Sequence, residues 1–151
     1  MARRNYSSGL ANVEIEQLGS KELQKSLRGM DKEFKKEISK DMRGVGNLVR
    51  DHIRSRTQVG RKSSPGHKAG TLRRSIKSKL SRLSVRIFSD ATRVSRKYSK
   101  GYRYGKRLEF DPAFGGRFAF FYAGWIDVKD EAWQRYKAVL DKVAAAFRNG
   151  G

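Results

Sequence analysis

Asp31-Lys32-Glu33-Phe34-Lys35-Lys36-Glu37-Ile38-Ser39-Lys40-Asp41-Met42-Arg43-Gly44-Val45-Gly46-Asn47-Leu48-Val49-Arg50-Asp51-His52-Ile53 is the stretch that decides the fold. Phe34, Ile38, Met42, Val45, Val49 and Ile53 recur at steps of three or four, so a helix places them on one face. Lys35, Lys36, Lys40 and Arg43 fall on the opposite face. Asp31 stands where an N-cap belongs, its carboxylate able to accept from the open N–H groups of the first turn. Gly44 and Gly46 interrupt the pattern at a cost of about 1 kcal/mol each relative to alanine, which marks close packing or a bend.

Working outward from this helix, Ala11 to Gln17 alternates, with Val13 and Ile15 on one side and Glu14 and Glu16 on the other, and reads as a half-buried strand. Ser20 opens a short helix that runs to about Gly29 and carries Leu23 and Leu27 as its apolar stripe. On the other side, Thr57 to Ala69 holds Gly60, Ser63, Ser64, Pro65 and Gly66 among Arg61, Lys62 and Lys68. It reads as a long basic loop. Leu72, Ile76 and Leu80 have helical spacing, although a strand fits the segment too. Leu83 to Phe88 alternates and is a strand, and Ser89 to Lys100 is a polar turn or hairpin tip. Tyr102 to Phe110 and Arg117 to Gly124 are aromatic-rich strand candidates that would complete a meander. Asp127 is the expected cap of a last helix, with Asp130 and Glu131 in its first turn. Its expected buried stripe is Ala132, Trp133, Tyr136, Val139, Leu140, Val143 and Phe147. Asn149-Gly150 ends it.

These elements give an α+β fold: a small antiparallel β-sheet packed by a long N-terminal helix and a C-terminal helix, with a long basic loop. Residues 1–10 read as a flexible basic arm and residues 11–148 as one domain, a size that can bury a core. The chain has 151 residues and no cysteine, which removes disulfides and thiolate zinc sites. No apolar run approaches the roughly 20 residues needed to span a bilayer, and the first residues lack the apolar stretch of a signal peptide. A product made and assembled in the cytoplasm, without a membrane partner, is expected.

Charge is the loudest compositional signal. The net value is +20, and it is concentrated: about eighteen Lys or Arg lie between Arg54 and Arg107 against one acid, Asp90. Such a field attracts phosphate backbones or acidic protein surfaces, and self-repulsion opposes it, so folding alone does not call for it. Arg54, Arg56, Arg61, Lys62, Lys68, Arg73 and Arg74 are the candidate contacts to DNA or to an acidic partner. Base-specific recognition is not indicated, since helix-turn-helix spacing, zinc-finger ligands and ribonucleoprotein-type aromatic motifs are missing.

Catalysis finds no constellation to carry it. His52 and His67 are the only histidines, and no carboxylate cluster stands near them at metal-ligand spacing. Ser75 lacks a nucleophile-elbow context, and the glycines of the basic loop lack the lysine and hydroxyl of a phosphate-binding loop. No enzyme activity, metal or cofactor is expected. The aromatics Tyr98, Tyr102, Tyr104, Phe118, Phe120, Phe121 and Tyr122 interleave with cations, so base stacking is conceivable. Core and subunit interface explain them more simply, because a strand apolar on both faces is usually covered on both.

Several short matches occur in a fixed order: Gly70-x-Leu72-x-x-Ser75-Ile76, the strand around Val85-Arg86-Ile87, Glu109-Phe110, then Arg117 to Ala123 and a closing helix. That order resembles the small tail-completion family of long-tailed bacteriophages, which join head to tail at the neck. Ala69, Asp111 and Phe118 depart from its usual Thr, Gly and Pro. The resemblance implies a structural virion protein without enzymatic activity, a ring-forming tail-completion or head–tail connector subunit around the DNA channel. It implies a six-fold ring, contacts to head-closure, tail-terminator or tail-tube proteins, and double-stranded DNA passing through the lumen. Glu109, Phe110, Phe118, Phe120, Phe121 and Tyr122 are the subunit-interface candidates. The alternative is a free, sequence-nonspecific nucleic-acid-binding protein.

Overall fold

The computed structural model describes residues 2–3, 12–15, 20–57, 70–81, 83–90, 93–95, 98–102 and 120–149. Elements follow in the order β1 (Ala2–Arg3), β2 (Asn12–Ile15), α1 (Ser20–Gly29), α2 (Lys32–Arg56), α3 (Thr71–Ser75), β3 (Ile76–Ser81), β4 (Ser84–Ser89), β5 (Arg93–Ser95), β6 (Tyr98–Tyr102) and α4 (Phe121–Asn149). The expected α+β architecture is observed.

Four strands form an antiparallel sheet in the order β1-β2-β4-β3. The hairpin of β3 and β4 sets its register, from Ile76 opposite Ser89 to Ser81 opposite Ser84. On the other side of β4, Val13 lies opposite Ile87 and Ile15 opposite Val85. Strands β5 and β6 make a separate two-stranded ribbon; the stretch from Ser89 to Lys100, expected as a polar turn or hairpin tip, thus itself supplies strand, and β6 ends at Tyr102, where a strand was expected to begin.

Period-two alternation divides the β3–β4 hairpin into two faces. Ile76, Val85 and Ile87 are buried on the inner face, and Leu80 packs against them. Lys77, Lys79 and Arg86 are exposed on the outer face. Helix α2 covers the inner face with the stripe read from the sequence: Ile38, Met42, Val45, Val49 and Ile53 are all buried, and Phe34 is half-buried against them. Asp31 caps α2 as expected, its Oδ2 accepting from the backbone N–H of Glu33 at 2.7 Å and of Phe34 at 3.4 Å.

Helix α4 lies along α2 and buries Val128, Ala132, Tyr136, Val139, Leu140 and Val143. The Tyr136 hydroxyl donates to the Leu83 carbonyl at 2.9 Å, which ties α4 to the β3–β4 turn. At Gly124 the two helices come into backbone contact. A Cβ there would sit 2.5 Å from the Ile53 Cα and 2.9 Å from the Ile53 nitrogen. Only glycine permits that approach. At the other side of α2, a Cβ on Gly46 would sit 2.9 Å from Val85 Cγ1, whereas Gly44 faces open space. The glycine pair therefore divides its roles: Gly46 serves close packing on the sheet, and Gly44 does not.

Several sequence expectations need correction. Leu72, Ile76 and Leu80 do not share one helix; a single turn, α3, hands over to β3 at Ile76. Phe121 to Gly124 is not strand but the first turn of α4, because Phe121, Gly124 and Val128 recur at helical steps and all three are buried. Burial overrode the β-propensity of the aromatic run. Asp127 is consequently no cap: it lies in the second turn of α4, and Asp130 and Glu131 lie beyond it. Phe147 leaves the buried stripe and is 57% exposed. Ala2–Arg3, placed in the arm, form an edge strand against Glu14 and Ile15. The basic loop from residue 58 to 69 and the strand candidates over 103–110 and 117–119 lie outside the described residues.

Candidate functional site

The candidate cations separate into those the fold uses and those it leaves free. Arg54 donates twice to the Ile76 carbonyl, at 3.2 and 2.8 Å, so the end of α2 is tied to the start of β3. Arg56 makes a two-pronged pair with Asp127, at 2.6 and 2.9 Å, joining α2 to α4. The structure thus gives both arginines internal partners. Arg73 and Arg74 end α3 and are exposed. Arg61, Lys62 and Lys68 lie outside the described residues.

Cations that sequence reading passed over form a second group. Lys79 and Arg86 face each other directly in the β3–β4 register and project from the outer face. Like charges directly opposite each other oppose sheet pairing. Neither makes an ion pair among the described residues; on the other side of β4, Glu14 of β2 is the register partner of Arg86. Lys77, two residues from Lys79, pairs with Asp90 at 2.7 Å. The signal in the sequence was parity: positions 77 and 79 share a strand face, but only the register with β4 adds Arg86 to it.

At the edge of the sheet, a groove of about 280 Å³ runs between α2 and β3. Its lining includes Met42, Gly46, Leu80 and Val85, with Arg43, Arg50 and Lys79 around them. Arg50 is held by Asp51, at 2.8 and 3.1 Å. That hydrogen bond, with the charges of Arg50, Arg54 and His52, keeps the Asp51 carboxyl below its ordinary value. A second groove, of about 610 Å³, lies between α2 and α4. There the Lys142 ammonium donates to Glu37 and, at 3.1 Å, to Asp41. These bonds, Glu37 first, raise the Lys142 pKa above its ordinary value.

The interface candidates also separate. Phe120 and Phe121 are buried in the chain's own core, ring centroids 6.1 Å apart in an edge-to-face pair. They are core residues, since folding already buries them. Tyr122 is 43% exposed, and Ile126, one turn further along α4, is 41% exposed. Glu109, Phe110 and Phe118 lie outside the described residues.

Nothing among the described residues gathers three or more metal-ligating side chains. His52 makes its ring contact through Nδ1 with the Leu48 carbonyl, at 3.1 Å within α2. Ser75 is buried and shares a hydroxyl contact with Ser89 at 2.9 Å while donating to the Leu72 carbonyl. That geometry stitches α3 to β4. No helix among the described residues is long and apolar enough to cross a membrane.

Comparison with curated proteins and with solved structures found no match. A family model described as "Bacteriophage HK97-gp10, putative tail-component" matches residues 21–110. The matched span takes in α1, α2, the β3–β4 hairpin and the β5–β6 ribbon, and so includes both the outer sheet face and the edge groove. On that match, the chain belongs to the HK97-gp10-like family of bacteriophage tail components.

Proposed function

We propose that this tail component works at the phage neck, as a ring-forming tail-completion or head–tail connector subunit that joins the tail to the DNA-filled head around the DNA path. The observation that carries this reading is the outward placement of Lys79 and Arg86 on a hairpin whose inner face is buried in the core. Neither charge makes an ion pair among the described residues, and a polyanion or an acidic neighbour is what they suit. Six copies are the number the family resemblance suggests. Head-closure, tail-terminator or tail-tube proteins are the protein neighbours, and double-stranded DNA occupies the lumen.

A channel that lets DNA pass cannot hold it tightly, because each phosphate-bound cation adds affinity that opposes movement. Most of the positive charge therefore meets acidic protein neighbours, and a part lines the lumen. The virion is where such a protein ends up, after assembly in the host cytoplasm.

The test is electron microscopy of a lysate from phage lacking this gene. Full heads lying apart from tails, or tails of faulty length, support the neck role. Normally joined particles overturn it. The net charge of +20 favours a second reading, a free nucleic-acid-binding protein. Salt separates the two: phosphate-driven binding falls steeply between roughly 50 and 200 mM, whereas a ring held between protein partners persists.

A further inference from the structure

A ring of strongly basic subunits faces a problem of repulsion, and its contacts must set unlike surfaces against each other. Two such surfaces are present. The first is on α4, where Tyr122, Ile126 and Asp130 follow one another at four-residue steps and so line one side of the helix. Tyr122 and Ile126 are two of the three large hydrophobics exposed among the described residues. Lys129 apart, the charged residues of this part of α4 are acidic: Asp127, Asp130 and Glu131. The second surface is the α2–β3 edge groove, with Leu80 among its apolar lining and Arg43 and Lys79 on it.

Resting on the ring reading, we propose that the Tyr122–Ile126–Asp130 side of α4 on one copy docks into the Arg43–Lys79–Leu80 groove of the next. The apolar pair meets the apolar lining and Asp130 meets the cations. Charge complementarity selects a second copy for this groove. Asp127 is engaged by Arg56 and Glu131 by Arg135, so in a chain of net charge +20 Asp130 is the acid that the apolar side of α4 offers to the groove. Because the two surfaces differ, the contact is heterologous, and heterologous contacts are the kind that close into rings.

The absence of cysteine in the natural chain makes the contact easy to trap. The full chain carrying both Asn47→Cys, in the groove lining, and Lys129→Cys, exposed beside Asp130 on α4, keeps the proposed charge contact and, treated with a short bis-maleimide, is expected to give a ladder of covalent oligomers. Either single variant alone is expected to give none, and a mixture of the two singles only the crosslinked dimer. Ile126→Asp is expected to raise the concentration needed for half-assembly about tenfold or more by light scattering, with helicity unchanged because Ile126 is exposed. If the wild-type chain assembles but the double variant gives no ladder, the ring reading survives and this contact is wrong. If a single variant crosslinks to itself, the contact is two-fold and the head-to-tail arrangement falls. A wild-type chain that stays monomeric at every concentration overturns the contact and the self-assembling ring together.

Discussion

Along β3 and β4 the two faces of the sheet obey different rules. Inward, Ile76, Val85 and Ile87 are buried, and Gly46 of α2 comes so near that a single added Cβ would meet Val85 Cγ1 at 2.9 Å. Outward, Lys79 and Arg86 stand opposite each other with no ion pair among the described residues. The inner face is set by volume, and a methyl group there is felt. The outer face sets Lys79 opposite Arg86, an arrangement of like charges that does nothing for sheet pairing. Side chains on the inner face answer to stability, and those on the outer face answer to whatever the sheet meets.

The contrast is broken most severely where two backbones touch. Gly124→Ala sets a Cβ 2.5 Å from the Ile53 Cα, and backbone cannot rotate away as a side chain can. A loss of about 3 kcal/mol in chemical denaturation is expected, at the upper end of ordinary overpacking. Tyr136→Phe comes next. It removes the donor to the Leu83 carbonyl without opening a cavity, and leaving a buried acceptor unpaired should cost about 1–2 kcal/mol by the same measurement.

The two glycines of α2 sharpen the comparison within one helix turn. Gly46→Ala is expected to destabilise by about 1 kcal/mol because Val85 and Ser78 must yield. Gly44→Ala, which meets nothing, should stabilise by about 0.5–1 kcal/mol through its helix propensity. If both variants move in the same direction, the inner-face account fails. The smallest effect belongs to the outer face. Lys79→Glu places unlike charges opposite Arg86, so stability should change by less than about 0.5 kcal/mol, in the favourable direction. A large loss would mean that the outer face, too, is packed against part of its own chain.

Much of this fold is legible in the sequence. The six apolar positions of α2 keep helical steps over its length, and the cap at Asp31 makes the hydrogen bonds its residue type predicts. The alternation around Val85 and Ile87 identified β4. The failures have physical causes. A step of four residues fits two strand periods as well as about one helical turn, so Ile76 and Leu80 share a face under either reading. The start of α4 was hidden because Phe120, Phe121 and Tyr122 favour strands locally, while the reason for the helix, the contact of Gly124 with Ile53, lies about seventy residues away in the chain. Asp127 resembled a cap because its partner, Arg56, is equally remote. The surface was less legible than the core. A run of cations reveals its sign from composition, but Arg54 and Arg56 look no different in the sequence from Lys79 and Arg86. Only the tertiary contacts separate the cations that hold the fold together from those left over.

The tie between Arg54 and the Ile76 carbonyl bears on the segment that it bridges. It joins the end of α2 to the start of β3 directly, and Thr57 is fastened in place by its own hydroxyl bond to the Ile53 carbonyl, at 2.7 Å. Residues 58–69 therefore connect two points that other bonds already hold. Doubling the length of such a connection adds only about 0.6 kcal/mol of closure entropy. The scaffold thus fixes both ends of that segment by bonds that do not run through it, whereas a single methyl group at Gly124 acts on the scaffold itself.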